Sequence, residues 1–382
     1  MACDLCHTEK NYQEGAEESI MKKKILFVSL ASIFGGGEVY LLRLLPLIKC
    51  DTDIIVVCVN KKLNASLREL GFTTYIYPCE SKLQKWLRYP VILLIILYIM
   101  CKYKIDAVHL NGNAPAVFAV PAKLMMRQVY ITAHCDLYPR DTLLKRIFMH
   151  RRYLMSLQFC DHVICVTEAV RSGLSAYLPK ERMTVIQNWV SDIQDRPLPP
   201  ENGHTPFNVL FVGRLVEEKG LHVLIDAIQC AKKNTTKKNI VLTVVGEGKC
   251  KDEMVVRALN RGITSNFVGF QADTFQYYRE ADIFVNPSYY AEGSSLVAIE
   301  AMAHGIPCIL SDIDVFKEVS ANGKAALLFQ SKSVEDLSAK LVALLGDDFE
   351  RRELGRRGLS IARENFSARA VQAKYLAMFR MS

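Results

Sequence analysis

Apolar residues fall into two alternating patterns along the chain. Short unbroken runs bounded by glycine, asparagine, aspartate or proline read as buried strands: Ile25 to Leu30 (ILFVSL), Asp53 to Val59, Thr74 to Tyr77, Ala107 to Leu110 (AVHL), Val129 to Ala133 and Asp161 to Val166. After a proline-rich interval the same signal returns at Phe207 to Val212, Val241 to Val245, a run closing on Val268-Gly269-Phe270, Ile283 to Val285, and Cys308 to Leu310. Helical stretches separate these runs. Strands alternating with helices predict α/β architecture built on parallel sheets. At 382 residues the chain has room for two domains, each with its own core.

The stretch from Phe284 to Asp312 (FVNPSYYAEGSSLVAIEAMAHGIPCILSD) organises the second half. A strand stops at Asn286-Pro287-Ser288, and Glu292-Gly293-Ser294-Ser295 opens the helical run Leu296 to Ala303. Gly305 and Pro307 end that run, and a further strand follows. The start of such a helix offers free backbone N–H groups and the positive end of a dipole, which suits phosphate. Gly293 permits close approach. Glu292 and Glu300 bracket this seat, and a carboxylate beside phosphate makes sense if it binds hydroxyls, so the ligand carries phosphate and sugar together. Taken alone, the pair is also what a capped helix with one stray glutamate would show.

Two further loops carry candidate chemistry. Gly213-Arg214 and Lys219-Gly220 flank a strand-to-helix turn, where two cations can grip a diphosphate through charge-assisted hydrogen bonds. Surface pairing of these cations with Glu217 and Glu218 is the plainer alternative. Near the start, Gly35-Gly36-Gly37-Glu38 links a strand to a helix and lets backbone N–H groups approach a diphosphate, although a flexible turn has the same composition. His134 follows a strand, at the sheet end where α/β sites gather.

Charge narrows the partners. The formal net charge is +8, yet residues 22–190 hold 23 Lys and Arg against 11 Asp and Glu, while residues 191–382 hold 24 of each. An anionic partner for the first block follows: a membrane surface or a lipid phosphate rather than nucleic acid, for which no binding module is present. Tyr89 to Cys101 (YPVILLIILYIMC) has basic flanks, but a helix of about 20 Å is short of a hydrocarbon core of about 30 Å. It is either a buried helix or one that also presses into a membrane interface. Arg140, Lys145, Arg146, Arg151 and Arg152 form either a solvated helix face or a dock for an anionic acceptor. The twelve cysteines are scattered, mostly in apolar runs, and no export signal opens the chain, so a reducing cytosol is expected. Cys3-Asp4-Leu5-Cys6-His7 has haem-attachment spacing, but it lies in an acidic leader without apolar surroundings and reads as coincidence. Asp312-Ile313-Asp314 is likewise read as coincidence, and no metal is expected.

Pro287-Ser288, the two glutamates and Glu300-Ala301-Met302-Ala303-x-Gly305-x-Pro307 together resemble the signature of retaining glycosyltransferase family four, the group 1 enzymes that include glycogen synthases and mannosyltransferases. Gly-Arg-x-x-x-x-Lys-Gly resembles that family's pyrophosphate clamp, and Gly-Gly-x-Glu its first loop. The resemblance implies the GT-B fold: two facing Rossmann-like, doubly wound domains with the site in the cleft and a C-terminal helix crossing back. Residues 1–21 would be a disordered leader, 22–191 the acceptor-side domain, 192–206 a linker, 207–365 the donor domain and 366–382 the returning helix. It also implies sugar transfer, with retained configuration and without metal or other cofactor, from a UDP- or GDP-sugar to a glycan or lipid-linked acceptor. The implied setting is the cytoplasm or its membrane face. Glu292 and His134 would orient the sugar. Gly36, Gly37, Arg214, Lys219, Gly269, Gly293, Ser294, Ser295, Leu296 and Glu300 would hold the donor. Two departures stand out: Gln187 and Trp189 replace a proline and a glycine of the segment closing the first domain, and no aromatic or proline follows Gly293. A nucleotide-sugar binder without turnover, or an epimerase or phosphorylase of the same fold, remain alternatives.

Overall fold

A computed structural model describes residues 22–32, 34–78, 81–134, 143–190, 206–235, 239–271, 273–290 and 295–380. The leader, the haem-like spacing within it and all but the last residue of the 192–206 linker lie outside the described residues.

The first half runs β1 (Lys23–Ser29), α1 (Gly36–Ile48), β2 (Thr52–Cys58), α2 (Lys61–Glu69), β3 (Thr73–Ile76), α3 (Lys82–Tyr103), β4 (Ala107–Asn111), α4 (Ala119–Leu124), β5 (Gln128–Ala133), α5 (Leu143–Leu157), β6 (His162–Cys165), α6 (Glu168–Leu174) and β7 (Met183–Val185). The second runs β8 (Phe207–Val212), α7 (Leu221–Lys233), β9 (Ile240–Val245), α8 (Lys251–Asn260), β10 (Thr264–Gly269), α9 (Phe275–Glu280), β11 (Ile283–Asn286), α10 (Leu296–Ala303), β12 (Cys308–Ser311), α11 (Asp314–Val319), β13 (Leu327–Phe329), α12 (Val334–Gly346), α13 (Asp348–Asn365) and α14 (Ala368–Arg380).

Among the described residues these strands make two all-parallel sheets, ordered β3-β2-β1-β4-β5-β6-β7 and β10-β9-β8-β11-β12-β13. Helices cover both faces of each sheet, so a central strand such as β1 is buried on either side, with Ile25, Leu26, Phe27 and Val28 all at 0% exposure. That is why these strands read as unbroken apolar runs rather than alternating ones. The chain order reverses at β1/β4 in one sheet and at β8/β11 in the other, opening a crevice at the carboxyl end of each. Both are doubly wound Rossmann-like domains, as the sequence predicts.

α3 is longer than its apolar run. It begins at Lys82, where the Ser81 side chain accepts from the Gln84 N–H and the Gln84 side chain accepts from the Ser81 N–H, and it continues through Pro90. The reciprocal cap and the fully buried Ile92, Ile96, Ile99 and Met100 outweigh the hydrogen bond that the proline cannot make. No helix among the described residues is long and apolar enough to cross a membrane.

α14 returns to the first domain. Tyr375 and Phe379 pack with Trp189 and Tyr130, Gln372 donates to the Leu47 carbonyl, and Val190 pairs with Ser367 in an isolated parallel bridge.

Candidate active site

Every described candidate sits at or just beyond the carboxyl end of a strand, or on the helix that follows it. On the first domain, β1 leads through Gly35 into α1. Glu38 turns inward at 2% exposure, accepting from the Ser29 hydroxyl (3.2 Å) and the Gly35 N–H (3.1 Å). Burial pushes its carboxyl above the usual range, while these bonds pull it back. Glu38 therefore fixes the glycine loop rather than facing a ligand. Gly36 is exposed; among the described residues a methyl there would meet nothing within 4 Å, and one at Gly37 would make only ordinary contacts at 3.7 Å. Neither needs the left-handed backbone.

His134, just past β5, meets that loop through Asn111, the last residue of β4. The Asn111 amide nitrogen donates to the Gly37 carbonyl (3.1 Å), and its oxygen lies 2.8 Å from His134 Nε2. The Tyr40 ring packs edge-on against the imidazole at 4.9 Å. Burial lowers the His134 pKa to about 4, so the ring is neutral at pH 7. No motif marks Asn111 in the sequence, where its one signal is a polar residue directly after an apolar strand.

On the second domain, Arg214 is exposed. Lys219 is half-buried at the end of a single 3₁₀ turn, and Gly220 follows with φ +70°. This loop is locked to the one after β11: the Ser288 hydroxyl and the Tyr289 N–H both donate to the Glu218 carbonyl, at 3.2 and 3.1 Å. A methyl on Gly220 would sit 2.2 Å from the Pro287 carbonyl oxygen. Glu292, Gly293 and Ser294 lie outside the described residues. Ser295 is buried and accepts from Asn286 (3.3 Å), and α10 starts at Leu296. Gly269, at φ +76°, ends β10 beside the exposed Phe270.

Glu300 carries one of the contacts between the two domains. One oxygen accepts from Arg43 of α1 at 2.5 Å, the other from the Tyr278 hydroxyl at 3.0 Å. Arg43 also donates to the Trp189 carbonyl (3.0 Å). The buried Tyr278 is held well above the usual phenol range by burial and then by the Glu300 charge. Other cross-domain contacts frame the cleft. Glu318 accepts from the Glu168 N–H and from Gln187, which thus replaces the expected proline with an interdomain hydrogen bond. The Lys62 ammonium sits 4.7 Å from the Phe34 ring and 4.8 Å from that of Phe270. Trp189, in place of a glycine, is buried between Tyr40 and Tyr375. Asp312 accepts from the Ser331 N–H, and no group of three metal-ligating side chains occurs among the described residues.

The chain is similar to known proteins in both halves. The family model for glycosyltransferase family 4 matches residues 34–192, and that for glycosyl transferases group 1 matches residues 196–360. A glycogen synthase of Mycobacterium tuberculosis (strain ATCC 25618 / H37Rv) is 32% identical over 187 residues, which are 48% of this chain and 43% of that protein. A phosphatidyl-myo-inositol mannosyltransferase of Mycobacterium leprae is 34% identical over 148 residues, 37% of this chain and 38% of that one. The matched stretches thus span less than half the length of these curated relatives. Among solved structures, Anabaena HepE in complex with UDP-glucose superposes with a TM-score of 0.80 over 94% of this chain and 100% of its own, at 18% identity. A sucrose-phosphate synthase from Thermosynechococcus elongatus gives 0.76 over 94% and 99%, at 19% identity. At identities this low the superpositions establish the fold alone.

Proposed function

With residues 34–192 and 196–360 each matched, the chain belongs to the group 1 glycosyltransferases of family 4, and we propose that it moves a sugar from a nucleoside diphosphate onto a glycan or lipid-linked acceptor with retained configuration. Arg214, Lys219 and the first N–H groups of α10 hold the diphosphate. As the bond from the anomeric carbon to the diphosphate oxygen breaks, negative charge develops there, and prearranged donors stabilise it more in the transition state than in the ground state. Glu300 takes the ribose hydroxyls, the backbone at Gly269 lies along the base, and Glu292 and His134 orient the sugar. The acceptor hydroxyl attacks from the face that the diphosphate leaves, without metal.

The observation that carries this reading is the pair Gly36 and Gly37. Among the described residues nothing demands glycine at either place, whereas a donor pressed against the backbone does. Thermal shift across UDP- and GDP-sugars tests it: a ligand at 100 times its Kd adds about 2.7 kcal/mol of stability. Release of free nucleoside diphosphate only when acceptor is present, with product configuration read by NMR, completes the test. No stabilisation by any nucleotide sugar rejects the reading.

Of the two acceptor classes we favour the lipid-linked one, reached at a membrane. Supporting this, Leu94 and Tyr98 on α3, Leu124 on α4 and Met126 just past it are exposed, Tyr89, Leu93, Phe118 and Leu124 line an apolar groove of about 390 Å³, and Lys102, Lys104 and Lys123 are exposed on or just past the same helices. The expected setting is the cytoplasmic face. Sedimentation with anionic liposomes that weakens as salt rises supports it, and salt-indifferent or absent binding rejects it.

A further inference from the structure

Asn111 has a role that neither its type nor its position on the strand announces. The Gly37 carbonyl can only accept, so the Asn111 group facing it at 3.1 Å is the NH₂, and this fixes which way the amide points. Its oxygen then faces His134 Nε2 at 2.8 Å, and because an amide oxygen can only accept, Nε2 carries the proton. The Cδ2–Nε2 edge of the ring lies between Gly37 and Gly112, 3.7 Å from a methyl built on either. Nδ1 is on the other side of the ring, unprotonated, and among the described residues it has no hydrogen-bond partner. The ring cannot turn freely, because Tyr40 packs edge-on against it and is itself held to Thr132 at 3.3 Å.

We propose that Asn111 is a positioning residue: it ties the glycine loop to His134, holds the imidazole as the Nε2–H tautomer and so presents Nδ1 as an acceptor for one hydroxyl of the transferred sugar. The sugar part rests on the proposed function, while the tautomer part does not. Donor choice follows: a sugar with a free hydroxyl at that position satisfies Nδ1, and one deoxygenated or O-methylated there leaves it empty.

Among the described residues, the titratable groups around the ring carry no charge that would oppose this. His109 on β4 is buried and neutral, Tyr40 on α1 stays protonated, and the Glu38 carboxylate on α1 is committed to Ser29 and Gly35. Burial keeps His134 neutral to about pH 4.

The test is NMR of the full chain carrying ¹⁵N-labelled histidine, with the His134 signals assigned by their loss in His134→Gln. In the unsubstituted protein Nε2 should bear the proton and Nδ1 should show the shift of an unprotonated nitrogen, unchanged from pH 8 down to about pH 5. Asn111→Asp keeps an acceptor at Nε2 but adds a negative charge, so His134 should titrate at clearly higher pH. A protonated Nδ1 in the unsubstituted protein, or an unmoved titration in Asn111→Asp, overturns the positioning role. UDP-glucose and GDP-mannose are then added, with UDP and GDP as controls. The sugar nucleotide that binds should shift Nδ1, and its nucleoside diphosphate alone should not. Binding without that shift overturns the hydroxyl contact. Failure of every nucleotide to bind counts against the proposed function and leaves the tautomer result to decide the role of Asn111.

Discussion

Gly220→Ala offers a direct measure of how the two donor-side loops are held together. Gly220 has φ +70°, and an added methyl would lie 2.2 Å from the Pro287 carbonyl oxygen and 2.9 Å from its carbon, both backbone atoms. Ordinary contact begins at 3.4 Å, so the loops must part by roughly 1 Å. That displacement strains the bonds from the Ser288 hydroxyl and Tyr289 N–H to the Glu218 carbonyl. Left-handed backbone costs alanine about 1–2 kcal/mol, and overpacking adds about 1–3 kcal/mol. Gly262→Ala isolates the first contribution, because Gly262 has φ +65° but, among the described residues, nothing within 4 Å of an added methyl. Urea denaturation followed by circular dichroism should therefore show Gly220→Ala as the weaker variant by about 1–3 kcal/mol. Its affinity for nucleoside diphosphate should fall as well, while Gly262→Ala keeps its affinity. Equal destabilisation of the two variants would refute the steric reasoning.

Three other outcomes are expected. Gly36→Ala should leave stability unchanged or raise it by up to about 1 kcal/mol, since the site is open and helical, yet weaken nucleotide-sugar binding; denaturation and calorimetry separate the two effects. Arg43→Leu should cost about 1.5–3 kcal/mol, because it leaves the Glu300 carboxylate, only 16% exposed, with the Tyr278 hydroxyl as its one side-chain partner among the described residues; small-angle scattering should also show a more open cleft. Acid should destabilise the fold through His109 and His134, whose folded pKa values of about 3 and about 4 lie below the unfolded 6.5. The sign follows from linkage: the unfolded chain takes up these protons first, so the neutral folded rings lose ground as pH falls from 6.5 towards 4. The slope is about 1.4 kcal/mol per pH unit for each histidine, and His109→Gln should reduce it by one such share in denaturation measured across that range.

Much of this was legible in the sequence because the relevant signals are local. Unbroken apolar runs marked the strands, and their carboxyl ends marked the loops at Gly36, His134, Arg214 and Ser295. Three features were not legible, for different reasons. The start of α3 was hidden by Pro90, although Ser81 and Gln84 carried a readable cap signature. Asn111 matters only because β4 and β5 pair in a register that sets it opposite Thr132, two residues before His134. Arg43 looks like an ordinary polar position on an amphipathic helix, and its meaning comes from a carboxylate 257 residues away on another domain. Long-range partners of this kind leave no trace in local periodicity.

The return of α14 bears on the order in which the protein can mature during synthesis. Phe379 and Tyr375 complete the apolar layer around Trp189 and Tyr130, so the half made first lacks part of its interior until residues 368–380 leave the ribosome. The half made second needs nothing from those residues to close its own sheet. The later-born domain can therefore reach its final form before the earlier one, whose apolar layer stays incomplete until residues 368–380 arrive.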